Sequence, residues 1–215
     1  MILAIETSTP HASLALFDPA RNAVIAEREF SSDRAHNSVI FAPLREVLEI
    51  LGDCPLRGIV LGTGPGSYSG VRVGIAVASA LGLAKSCPVI GLPSIVALAP
   101  HALVVGDARR QTYYIAAVRS HRLAGEPELL SPEEFLERVG GTDLPLLTTD
   151  PVAPLGIEAR VVTPLAVDLA RLAAAFPEAE WLSLAATPLE PLYLRAPYIT
   201  TPNPLPRLAR TTPGS

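Results

Sequence analysis

The chain has 215 residues, 49% hydrophobic and 18% charged, with 17 Lys and Arg against 21 Asp and Glu and a formal net charge of −4. That balance excludes a mostly disordered chain, which would carry too little apolar surface to fold. It also offers no electrostatic footprint for nucleic-acid phosphates, so any connection with RNA has to run through a partner.

The length allows one domain or two small ones with a real core, and the apolar share is that of a surface partly hidden against a partner. The start, MILAIETSTP, has no basic segment before its short apolar stretch, and no apolar run approaches the roughly 20 residues that span a bilayer. A cytoplasmic protein is expected. Cys54 and Cys87 lack CxxC spacing and read as plain core thiols, neither a disulfide framework nor a zinc site.

In chain order, ILAIETSTPHASLALFD reads as strand, tight turn, strand, and NAVIAEREF as a third strand. From about residue 37 to Leu51, Ile40, Leu44, Val47, Leu48 and Leu51 recur at helical spacing. Gly52 is the stop, and Pro43 marks a kink or the first turn. RGIVLGTG is a short buried strand running into a knot of glycines. Val71 to Ala84 follows as a helix, PVIGLP as a strand and SIVALA as a helical turn. Three strands, helix, strand, helix suits a mixed sheet with helices on its faces.

After Pro100 the pattern restarts. ALVVGDARRQTYYIAAVRS has the shape of the opening segment and puts Asp107 where Glu6 sits, an internal duplication. SPEEFLERVG carries a capping box in Ser131 and Glu134, with Pro132 at the first helical position. LPLLTT and ARVVT read as strands and LAVDLARLAAAF as an amphipathic helix. Residues 196–215, rich in Pro, Thr and Arg, read as a tail without fixed structure.

The glycine knot matches no nucleotide motif. A Walker A loop needs Gly-Lys-Ser/Thr after its first glycine and four residues, and the first lysine comes only at Lys85. The dinucleotide fingerprint fails because the residue three after Gly66 is Ser69. In Gly66-Ser67-Tyr68-Ser69-Gly70 the centre is tyrosine, so there is no nucleophile elbow, and Ser67 reads as a helix cap.

The following helix offers another use for its small residues. Gly70, Gly74, Ala78 and Gly82 recur every four residues as a smooth ridge. Each helical glycine costs about 1 kcal/mol relative to alanine, so a ridge implies a close contact. Its neighbour is this chain's own sheet or helix, or a partner's helix.

Glu6-Thr7-Ser8 resembles the acidic phosphate loop of the actin-like ATPases, but ETSTPH lacks the glycine such a loop needs. A strand-end acid with a polar turn is the simpler reading. His36 has Ile40 four residues on, so no His pair for a metal forms on that helix. GDARRQTYY binds an anion through Arg109 and Arg110 or is a charged turn between strands.

Together, ILAIETS, AHNSVIFAPLREVL, GTGPGSYSGVRVGIAVASALGLA, PVIGLPSI, GDARRQTYYIAA and PLYLR resemble, in order from Ile2 to Arg195, the bacterial TsaB family, formerly called YeaZ. The most specific stretch is the G-P-G-S-aromatic-small-G run with the Arg and small-residue helix after it. The resemblance implies an α/β, duplicated actin-like ATPase (RNase H-like) fold with two lobes of mixed sheets flanked by helices. The N-terminal lobe would span 1–100 and carry the partner interface, and the C-terminal lobe 101–195.

It further implies a non-catalytic subunit that binds and activates a TsaD-type transferase. That enzyme places the threonylcarbamoyl group on the adenosine next to the tRNA anticodon (t6A), with a TsaE-type ATPase in the larger complex and tRNA reached only through it. No cofactor is expected on this chain alone, and nucleotide at a partner interface is left open. Carried over, the partner interface is His36, Ile40 and Leu44 on the first helix with Tyr68, Gly70, Gly74, Ala78 and Gly82 on the second. A homodimer would use the same helices.

Two departures are mild: Glu6 stands where many relatives have aspartate, and Tyr68-Ser69-Gly70 where aromatic-Thr-Gly is usual. The older peptidase and chaperone names of the family find no metal pair or triad here. The rival readings are an active ATPase or kinase of the actin-like superfamily and a self-associating scaffold.

Overall fold

The computed structural model describes residues 1–31 and 39–195. His36 and the tail from 196 onward lie outside them. The first sheet has the order β3-β2-β1-β4-β5. Strands β1 (Ile2–Glu6), β2 (His11–Asp18) and β3 (Ala23–Ser31) form an antiparallel meander, and β4 (Gly58–Gly62) and β5 (Val89–Leu92) run parallel to β1. All five residues of β1 are buried, as a central strand covered on both faces requires.

One face of this sheet, Leu3, Ile5, Leu14 and Leu16, meets α1 (Phe41–Leu51) and α2 (Tyr68–Lys85) through Leu44, Val47, Leu51, Val77 and Ala78. Helix α1 starts four residues later than the periodicity suggests, with Pro43 in its first turn, where its missing N–H costs no helical bond. Gly52 ends it at φ +55°, its N–H on the Leu48 carbonyl at 3.0 Å. Helix α2 starts three residues earlier than expected because Ser67 caps it, accepting the Gly70 N–H at 3.2 Å.

The second sheet comprises β6 (His101–Asp107), β7 (Tyr113–Arg119), β8 (Arg122–Leu123), β10 (Leu146–Thr148) and β11 (Arg160–Val161), in the order β11-β10-β6-β7-β8, with β9 (Glu128–Leu130) also on β7. Strand β7 is antiparallel to β6, while β10 is parallel to β6 and β11 to β10. That repeats the relation of β2, β4 and β5 to β1, so the duplication is real at the level of topology. Helix α3 (Pro132–Gly140), opened by the Ser131/Glu134 capping box, stands where α1 stands in the first half. The counterpart of the 18-residue α2 has shrunk to a three-residue turn, Pro154–Gly156.

The division at residue 100 separates the two sheets but not their helices, which corrects the expected lobes. Helix α4 (Ala166–Ala174) and helix α5 (Glu178–Ala185) return to the first sheet and cover its second face. There Ala166, Leu169, Ala170, Ala173 and Trp181 pack on Ile2, Ala4, Ala15, Phe17 and Val60. Ser13 Oγ accepts the Ala166 N–H at 2.8 Å, and Trp181 Nε1 donates to the Ala173 carbonyl at 2.9 Å. Arg57 donates to the carbonyls of Ala174 and Phe176, with its guanidinium 5.3 Å from the Trp181 ring centre.

Candidate partner interface

The end of β1, the loop after β4 and the start of α2 meet at one point. Thr7 Oγ1 donates to the Gly70 carbonyl at 2.9 Å, and Ser67 N–H to the Ser8 carbonyl at 2.6 Å. Gly64 N–H donates to Ser94 Oγ at 3.0 Å, and Ser94 N–H returns a bond to the Gly64 carbonyl at 2.7 Å. Gly64 sits at φ +95°, a conformation that favours glycine. A Cβ on Gly66 would overlap the Ser8 carbonyl, so the loop lies directly on the turn after β1.

Glu6 is buried completely at the centre of this knot. Its Oε1 accepts the Ser8 N–H at 2.7 Å, while Oε2, like Ser8 Oγ, meets no hydrogen-bond partner among the described residues. Burial pushes its pKa above the ordinary carboxylate value, opposed by the hydroxyls of Ser8 and Ser94 beside it. The amides of Ser8, Gly64, Ser67 and Gly70 are thus all engaged inside the protein. These N–H groups are the ones that a phosphate would need to find free. The local geometry favours the strand-end acid over the phosphate loop.

The ridge of α2 faces this same interior. A Cβ on Gly70 would overlap the Thr7 carbonyl, one on Gly74 would come within 2.5 Å of Thr7 Oγ1, and one on Gly82 would overlap the Val89 side chain. Ala78 is fully buried. Of the two neighbours left open by the spacing, the structure selects the chain's own sheet, which corrects the use of Gly70, Gly74, Ala78 and Gly82 as partner contacts. Ile40 and Leu44 are likewise core residues under α1. Among the described residues of the expected interface, only Tyr68 is exposed, at 50%.

The opposite side of the two helices presents a different set. Arg72, Ala76, Ser79, Ala80 and Leu83 line the outward side of α2, and Phe41 and Ile50 project from α1. Leu83 is 85% exposed and Phe41 58%. Ala76, Ala80 and Leu83 are the apolar residues of this outward side, beside Ser69, Arg72 and Ser79, so α2 has apolar residues on two faces, and the sheet covers only one. The even hydrophobicity of VRVGIAVASALGLA was the signal for this outer face, and the glycine spacing drew attention to the inner one.

Asp107 does end β6 as Glu6 ends β1, but it is exposed and its N–H donates to Asp150 Oδ2 at 2.7 Å. Partial burial, with the Asp107 carboxylate beside it, raises the Asp150 pKa. Arg109, Arg110 and Gln111 form the turn between β6 and β7, all at positive φ. No group of three or more His, Cys, Asp or Glu side chains that could hold a metal occurs among the described residues. No helix there is long and apolar enough to cross a membrane.

Known proteins share this architecture. YeaZ from Pseudomonas aeruginosa superposes with a TM-score of 0.66 at 25% identity, over 90% of this chain and 99% of its own. An uncharacterized protein of Mycobacterium leprae is 36% identical over 210 residues, 92% of this chain and 55% of its own length. The tRNA threonylcarbamoyladenosine biosynthesis protein TsaB of Escherichia coli K12 is 33% identical over 111 residues, 51% of this chain and 47% of its own. The chain spans about half the length of the curated relatives it matches. Residues 24–184 match the family model described as TsaD, tRNA N6-adenosine threonylcarbamoyltransferase. With TsaB-named relatives and a YeaZ fold, the chain belongs to that family, on its TsaB/YeaZ side.

Proposed function

We propose that this protein takes part in t6A synthesis as a non-catalytic subunit that binds and activates a TsaD-type transferase. The outward face of α1 and α2 would be the docking surface, with a TsaE-type ATPase in the larger assembly and tRNA reached only through it. The observation that carries the reading is the second face of α2, where Ala76, Ala80 and the 85% exposed Leu83 lie uncovered. Exposed apolar area of this kind marks interaction surfaces.

The relatives named for t6A biosynthesis support the pathway. The engaged amides around Glu6 support a chain that binds no nucleotide by itself. A homodimer on the same face would compete with the transferase rather than add to it.

Titration of the purified chain with the transferase of the same organism, followed by calorimetry, tests this. A complex that Leu83→Arg weakens at least tenfold is expected, because a cation buried at an apolar interface lacks a partner. An ATPase reading would instead show turnover by the isolated chain that Glu6→Ala abolishes.

A further inference from the structure

Among the described residues after α5 none lies in a helix or strand, yet Leu189–Arg195 touches both sheets. Leu189 packs against the first-sheet core. Leu192 N–H donates to the Thr63 carbonyl at 2.8 Å, at the root of the glycine loop. The Tyr193 ring lies 5.4 Å from that of Tyr68, the first residue of α2. Leu194 packs against the second-sheet core, and Arg195 donates to the Arg109 carbonyl at 3.3 Å in the turn after β6. A cavity of about 100 Å³ remains beneath, between Pro191–Leu194 and the loop residues Thr63, Gly66 and Ser67.

We propose that Leu189–Arg195 is a latch that fastens the glycine loop and the first turn of α2 to the second sheet, and that its seating sets the affinity of α2 for the transferase. The second clause rests on the docking surface proposed above. The fastening is slight: one backbone hydrogen bond to the loop at Thr63 and one ring pair with α2, with Tyr68 50% and Tyr193 39% exposed. Segments with few buried contacts open locally at low free energy, while the sheets beneath stay folded. Arg72 ties the outward side of α2 to the same stack, donating to Tyr68 Oη at 3.0 Å with its guanidinium 5.2 Å from the ring centre. Release of the strap therefore uncovers the Tyr68 ring that Arg72 contacts, as well as the loop.

The test is hydrogen exchange by mass spectrometry on the full chain, comparing Tyr193→Ala and, as a second variant, Leu194→Ser with the wild type, followed by titration of each with the transferase. Exchange over residues 62–72 at least tenfold faster, with β1 and β2 unchanged and transferase affinity at least tenfold lower, is expected. Unchanged exchange over 62–72 in both variants overturns the latch. Faster exchange with wild-type affinity overturns the link to docking. Faster exchange in a chain whose wild type never binds the transferase keeps the fastening and removes the partner reading instead.

Discussion

Glu6 shows what one residue contributes at the meeting point of β1, the glycine loop and α2. Its carboxyl is buried, half-satisfied and pushed toward its neutral form. An acid whose folded pKa lies above the ordinary 4.5 keeps its proton in the native state after the unfolded chain has lost it. Its contribution is complete below that value and is lost as pH rises to the folded pKa, by at most about 1.4 kcal/mol per pH unit. Glu6→Gln, neutral and of similar shape, should therefore unfold in urea with a midpoint less dependent on pH, as pH rises above the ordinary carboxylate value, than the wild type. Parallel pH profiles for the two proteins would show that Glu6 is charged in the native state.

The glycines of α2 can be tested the same way. Gly74→Leu would drive a side chain into Thr7 and should cost at least about 1–3 kcal/mol of folding stability, with any loss of binding following from misfolding.

At the scale of elements, local chemistry was legible where it is written in a few adjacent residues. The Ser131/Glu134 capping box and the Ser67 cap follow from side chains that satisfy the free amides of a helix start, and the Gly52 stop from a residue without a Cβ whose backbone turns to positive φ. Ser131→Ala should accordingly lower the thermal midpoint, by an amount corresponding to about 1 kcal/mol.

Strands β8 and β9, of two and three residues, are too short to show alternation, and α5 is an eight-residue helix whose one buried residue is Trp181. Which side of α2 faces inward was hidden for a different reason. Periodicity fixes which residues share a face, but not what that face meets, and α2 carries apolar residues on both. In Gly70, Gly74, Ala78 and Gly82 the carried-over interface named residues of the inner side of α2.

At the scale of the molecule, the duplicated halves depend on each other. The second half has lost the counterpart of α2, while its last two helices cover the open face of the first sheet. That exchange was not legible, because no local pattern says which sheet a helix returns to. Trp181→Ala should remove about 3–5 kcal/mol and, by loosening α5, raise exchange in β4 and β5 of the first half. Unperturbed β4 and β5 amides would mean that the returning helices are not needed to hold the first sheet.

One face of the first sheet is closed by α4 and α5 and the other by α1 and α2, and the proposed docking surface is the side of α2 that the sheet does not cover. The measurement that bears on this most directly is the dissociation constant of the transferase complex for the wild type and for Leu83→Arg, beside their melting temperatures. The expected result is a complex that Leu83→Arg weakens at least tenfold without moving the melting temperature, since an exposed site away from the core shifts stability by about 0.5 kcal/mol or less. Equal affinities for the two proteins, or no complex with the folded wild type, would contradict the account.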